Sequence, residues 1–158
     1  LWAERTFHYG PTEIGFLFMY VGILSVVMQL RALPFLVARF HESQLLRYST
    51  IFLFSGLFIL GFVTNPWLLL LTQLLIVLGN SMANPSIQAL ASENVPKEEY
   101  GETLGFLQSA GSLGRIIGPL AGGEMFYRMG KDMPYFVGSA IMFLVLVYLW
   151  IRPTRAKV

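Results

Sequence analysis

Tyr48 to Ser92, YSTIFLFSGLFILGFVTNPWLLLLTQLLIVLGNSMANPSIQALAS, is a run of 45 residues without one charged side chain. A bilayer core about 30 Å thick is crossed by roughly 20 helical residues. The run is too long for one crossing and right for two. Its break is Thr64-Asn65-Pro66. Asn-Pro is a turn signal, and proline suits the first position of a new helix, where its missing N–H costs nothing. The run therefore reads as a helical hairpin, 45–63 and 66–91, with a very short connection.

The same arithmetic works outward. Ile14 to Leu30 is uncharged between Glu13 and Arg31, and Met133 to Ile151 is uncharged between Asp132 and Arg152. They predict spans near 13–32 and 133–151. The stretch 102–128 has the right length and clear flanking loops, but Arg115 and Glu124 interrupt it. It reads as a fifth span, the alternative being two short re-entrant helices. The expected fold is an all-α membrane protein.

Composition excludes the other classes. The 158 residues are 55% hydrophobic and 13% charged, with net charge +2 and no cysteine. A soluble domain carries roughly 25% charged residues. Disulfide and cysteine–metal sites are ruled out, and the charge is too small to point to nucleic acid. His8 and His41 fall in loops with no partner for catalysis or metal binding, so no enzyme, metal or cofactor is expected. The chain begins Leu1-Trp2-Ala3, without an initiating Met or a basic signal region. That start reads as a fragment, with Leu1 to Phe7 the exit of an earlier helix.

Lysine and arginine divide by side. Arg31, Arg39, Arg47, Lys97, Arg152, Arg155 and Lys157 fall on one side, and Arg5, Arg128 and Lys131 on the other. The richer side is expected to be cytoplasmic, with the 31–44 loop and the C-terminus inside.

The spans differ in what they offer a solute. Residues 45–63 and 133–151 are almost wholly apolar and read as peripheral supports. In 66–91, Gln73, Asn80 and Asn84 share one helical face, with Gln88 a little to the side, while Gly79 and Ala83 make a small pair on a neighbouring face. In 102–128, Gln108, Ser112 and Arg115 share a face, with Gly111, Gly118 and Gly122 beside it. The amides and Ser112 either line a solute pathway or hydrogen-bond between helices. Arg115 stands near the midplane, where a charge that cannot be lost must be paired or hydrated. It reads as an anion site or a partner for a coupling acid, against a structural salt bridge. Ser25 and Gln29, one turn apart, are a weaker candidate lining in the first span.

Gly114-Arg115-Ile116-Ile117-Gly118-Pro119-Leu120-Ala121-Gly122-Gly123 has the form G-x-x-x-G-P-x-x-G-G. Glycines four apart admit a second helix at backbone distance, and Pro119 removes a ladder hydrogen bond and bends the helix. This pattern resembles the antiporter motif of the major facilitator superfamily, typical of its drug:proton exchangers. Pro85, Ala89-Leu90-Ala91-Ser92, Val95-Pro96, Gly101 and Gly105 resemble that family's tenth helix, the loop after it and the start of the eleventh. The basic stretch Arg31 to Arg47 resembles its eighth-to-ninth connection. The antiporter motif is best known in the fifth helix, which the family's internal repeat makes equivalent to the eleventh. The N-terminal loop signature G-x-x-x-D-R-x-G-R-R is missing from 31–44, where His41-Glu42 stands in place of Gly-Arg. The fourth-helix arginine is also missing, with Gln73-Leu74 in that region. The chain is accordingly read as the C-terminal half, from the end of the seventh helix to the twelfth.

The resemblance implies five helices forming most of one half-bundle of a major facilitator fold, and alternating access around a midplane site. It implies proton-coupled export of a small drug-like solute, with the bilayer, a proton and an N-terminal half-bundle as partners. Uptake of a sugar or organic anion is the alternative within transport, and a non-transporting membrane scaffold the alternative outside it.

Overall fold

The computed structural model describes residues 2–151. Arg152, Arg155 and Lys157, on which part of the orientation argument rests, lie outside the described residues. Among those described there is no β-strand. The chain runs α1 (Trp2–Phe7), α2 (Pro11–Val27), a π-helical turn (Met28–Ala32), α3 (Leu33–Arg39), α4 (Glu42–Leu60), α5 (Pro66–Glu93), a 3₁₀ turn (Lys97–Glu99), α6 (Tyr100–Arg128) and α7 (Met133–Ile151).

The central hairpin follows from its turn. Asn65 caps α5, its side-chain oxygen accepting from the Trp67 N–H at 2.9 Å, and Pro66 opens the helix. An orphan donor of the first turn is thereby satisfied by the residue that breaks the apolar run.

The first span is longer than the charges imply. The predicted 31–44 loop is helical as far as Arg39, so α2, the π turn and α3 form one rod, Pro11–Arg39. Only Phe40 and His41 stand outside helix before α4. In an α-helix, Pro34 would crowd the carbonyl four residues back and leave it unpaired. The π turn widens the ladder just before it, with the Leu33 N–H reaching the Met28 carbonyl. The helix absorbs its proline and continues.

Residues 102–128 lie within one unbroken helix of 29 residues, α6 (Tyr100–Arg128), with Pro119 inside it and no re-entrant break. Among the described residues four helices are long and apolar enough to cross a membrane: Pro11–Arg39, Glu42–Leu60, Pro66–Glu93 and Met133–Ile151. Helix α6 matches them in length, but its glycines, amides, Arg115 and Glu124 leave it less apolar than the other four.

Helix α4 packs mainly on α5 and α7, the α2 rod lies along α5, and α6 rests lightly on α5 and α7. The tightest seam is α4 on α5. A Cβ at Gly79 would stand 2.6 Å from Leu53 Cγ and 2.9 Å from the Ser49 carbonyl oxygen. At Gly56 it would stand 2.8 Å from Ile76 Cγ1. Ser49 and Thr72 are buried on these two helices and return their hydroxyls to their own helix, Ser49 to the Leu46 carbonyl and Thr72 to the Leu69 carbonyl. Small side chains with satisfied hydroxyls are what close helix approach in lipid requires.

At one end of the bundle Trp2, Leu60, Val63, Leu69 and Phe126 form a buried cluster. Trp2 Nε1 donates to Asp132 Oδ1 at 2.7 Å, and Lys131 Nζ donates to Thr6 Oγ1 at 3.0 Å. The Arg5 guanidinium lies 4.9 Å from the Phe126 ring centre. These contacts pin the short α1 to the α6–α7 turn and place Arg5 and Lys131 at the same end.

Candidate functional site

Gln73 and Asn80 each follow a seam residue, Thr72 and Gly79, by one position. A helix turns about 100° per residue. The amides therefore point away from α4 wherever the small residues point into it, and both open onto the first of two grooves that flank α5.

The first groove lies between the α2–α3 rod and α5 and has a volume of about 360 Å³. Its polar lining is Ser25, Gln29, Gln73, Asn80, Ser81 and Asn84. None of its lining residues carries a charge. Ser25 spends its hydroxyl proton on the Val21 carbonyl, 2.8 Å away, and Asn84 donates to the Asn80 carbonyl at 3.4 Å. The side-chain amides of Gln29 and Gln73 are left to face the groove.

The second groove lies between α5 and α6 and has a volume of about 450 Å³. Asn84, Gln88, Gln108 and Arg115 supply its polar groups, against walls of Ile87, Leu104 and Leu107. Ser112 is one contact behind: it donates to the Gln108 carbonyl at 2.8 Å and accepts from Arg115 Nη2 at 3.1 Å. Arg115 is exposed and meets no carboxylate among the described residues. Glu124 is paired with Arg128 one turn away on the same helix.

Of the six pathway residues read from sequence, Gln73, Asn80 and Asn84 are thus brought together in one groove, Gln108 and Arg115 in the other, and Asn84 borders both. Ser112 supports Arg115. Ser25 and Gln29 line the first groove, and α4 and α7 contribute to neither. Ser81 was missed by sequence reasoning, although its place next to Asn80 was a signal. The opening at Leu33 had no signal, because it depends on the π turn.

The glycine motif behaves differently from its expectation within this chain. Positions Gly114, Gly118 and Gly123 have nothing within 4 Å of an added Cβ, and Gly122 has only Pro134 Cβ, at 4.0 Å. The close seam read for Gly118 and Gly122 is not made among the described residues, because α6 touches its neighbours only lightly and turns this face outward. Pro119 lies inside the helix, as the motif requires.

Residues 1–158 match the family model described as Major Facilitator Superfamily. Among curated proteins the chain is similar to multidrug resistance protein MdtG of Yersinia enterocolitica, at 34% identity over 93 residues, covering 58% of this chain and 22% of that protein. It is similarly close to the proteins of that name from Salmonella arizonae and Salmonella paratyphi B, each 33% identical over 97 residues, covering 60% of this chain and 24% of theirs. The match thus spans about a quarter of the length of these relatives.

Proposed function

The chain belongs to the major facilitator superfamily, and on that premise we propose that it is the C-terminal half-bundle of a proton-coupled exporter of small drug-like solutes. Membership marks an integral, multi-pass membrane transport protein. The finer reading is carried by one observation: the polar faces of the α2–α3 rod, α5 and α6 open onto two grooves that meet at Asn84. Polar groups in a bilayer are costly, and they collect where a cavity or a partner hydrates them. Volumes of this size suit small organic molecules. The name of the similar proteins, multidrug resistance protein, supports efflux.

In this reading α4 and α7 are the outer supports and α6 is the fifth crossing. The two six-helix halves rock around the grooves, which face the N-terminal half. The ends carrying Arg31, Arg39, Arg47 and Lys97 face the cytoplasm, as does the C-terminus. A scaffold would need no such lining.

The full-length transporter, reconstituted with an imposed pH gradient, tests this. Solute flux that collapses when the gradient is discharged is the expected result. Single cysteines introduced at Gln73, Asn80, Asn84 and Gln108 should react with a water-borne thiol reagent and be protected by substrate, whereas cysteines on the outward faces of α4 and α7 should not. Labelling of the outer helices with sparing of the amide positions would overturn the assignment.

A further inference from the structure

We propose that the α5–α6 groove is an anion subsite, in which Arg115 holds the carboxylate, sulfonate or phosphonate head of an amphipathic solute. The inference rests on the transport reading above and narrows it to a charge class.

Arg115 is residue 115 of a helix running from 100 to 128, so it stands about 20 Å from either end at 1.5 Å per residue. A guanidinium stays protonated there. It carries five N–H donors, and within the described residues one is directed at Ser112 Oγ. No acid among the described residues balances it. Glu102 lies 13 residues along α6, roughly 20 Å away. Glu124 lies nine residues along, roughly 13 Å away, and is already paired with Arg128. The carboxamides bordering the groove, Gln88, Gln108 and Asn84, are neutral.

A permanent cation lining the groove repels cationic solutes and draws an anion. The planar fork matches a carboxylate or phosphonate with two parallel hydrogen bonds. Beside the head, Ile87, Leu104 and Leu107 offer an aliphatic wall. Across Asn84 the neighbouring groove is lined by serines and amides without charge. A solute with one anionic head, an apolar shoulder and an uncharged polar remainder is complementary to the two grooves together.

Three probes on one skeleton separate charge from shape: 2-naphthoate, 2-naphthamide and 2-naphthylmethylammonium. Binding to the detergent-solubilised full-length transporter is read from naphthalene fluorescence, and flux from proteoliposomes. Wild type should bind the naphthoate at least about tenfold more tightly than the amide, the order expected of a charge-assisted pair. Arg115→Gln should erase that preference, with monodisperse elution in detergent reporting an intact fold. Arg115→Lys should keep part of it, since a point charge replaces the fork. Equal binding of naphthoate and amide by wild type, preference for the ammonium, retention of the naphthoate preference in Arg115→Gln, or binding of none of the probes would each overturn the subsite. An anion preference that depends on Arg115 without flux of any probe would leave the subsite standing and remove the transport reading. Flux of the ammonium that is indifferent to Arg115→Gln would do the reverse.

Discussion

Helix α5 and helix α6 carry the same kind of small-residue pattern and use it in opposite ways. On α5, Gly79 lies so close to α4 that an added Cβ would meet the Ser49 carbonyl at 2.9 Å. On α6, Gly118 sits in a glycine series of the same spacing and meets nothing within 4 Å. Small residues four apart confer the capacity for close approach. Whether the capacity is used depends on which helix lies opposite, and that is a property of the tertiary arrangement. The difference also separates two jobs. The α4–α5–α7 side is packed and apolar, while α6 holds a polar groove on one side and an unpartnered glycine face on another.

The comparison breaks most visibly at Gly79. A leucine there must displace Leu53 and the α4 backbone itself, which cannot swing away as a side chain can. Gly79→Leu should cost about 3 kcal/mol or more, at or beyond the upper end of overpacking. We expect no monodisperse protein on size exclusion in detergent. A normal elution profile would mean that the α4–α5 seam is looser than its contacts imply.

Gly56→Ala probes the same seam more gently. Its new methyl would meet Ile76 Cγ1 at 2.8 Å and the Ile76 nitrogen at 3.3 Å. The side chain can rotate, whereas the nitrogen must give by a few tenths of an ångström. A loss of about 1–3 kcal/mol is expected, seen as a lower midpoint in thermal unfolding with transport retained. An unchanged midpoint would show that the contact relaxes without cost.

Much of this contrast was readable in the residues, for reasons that differ by region. The hairpin from Glu42 to Glu93 was legible because charge is excluded from the bilayer core and Asn65-Pro66 is a local device that ends one helix and starts another. The amide stripe was legible because helical periodicity fixes which residues share a face. The continuation of the first span past Arg31 was not. A charge followed by Pro34 looks like a helix end, and only a widened turn at Met28–Ala32 lets the rod continue to Arg39. The docking of Trp2 on Asp132 was equally invisible, since the partners are 130 positions apart and neither has a local signal. The split of the polar residues into two grooves depends on how the α2–α3 rod and α6 flank α5, which no periodicity encodes.

Trp2→Phe sharpens the comparison at the end of the bundle where the packed side and α6 are joined. The substitution keeps most of the aromatic packing on Tyr135 and Phe7 but removes the 2.7 Å bond to Asp132. The part-buried carboxylate is left to water, and the cost should be about 1 kcal/mol. Hydrogen exchange in the α6–α7 turn is the measurement, with faster exchange at Gly130 to Met133 expected and exchange in the α4–α5 seam unchanged. Equal acceleration in both places would mean that the two sides unfold as one unit.

Gly118→Leu has the smallest effect within this bundle. A leucine side chain on the outward face of α6 meets no described atom at its first carbon, and replacing glycine in a helix interior gains about 0.8 kcal/mol of helix propensity. The unfolding midpoint should therefore hold or rise slightly, in contrast with Gly79→Leu. Flux in the full-length transporter asks a different question. If another helix of the transporter closes onto the glycines of α6 during the cycle, the leucine blocks that approach and transport falls while the folded protein remains. Loss of flux at an unchanged midpoint is the outcome we expect, and it would assign the open face to a contact made outside these helices. Normal flux with a normal midpoint would show that the spacing of Gly114, Gly118 and Gly122 is unused. In that case small-residue spacing would mark a seam on α5 alone.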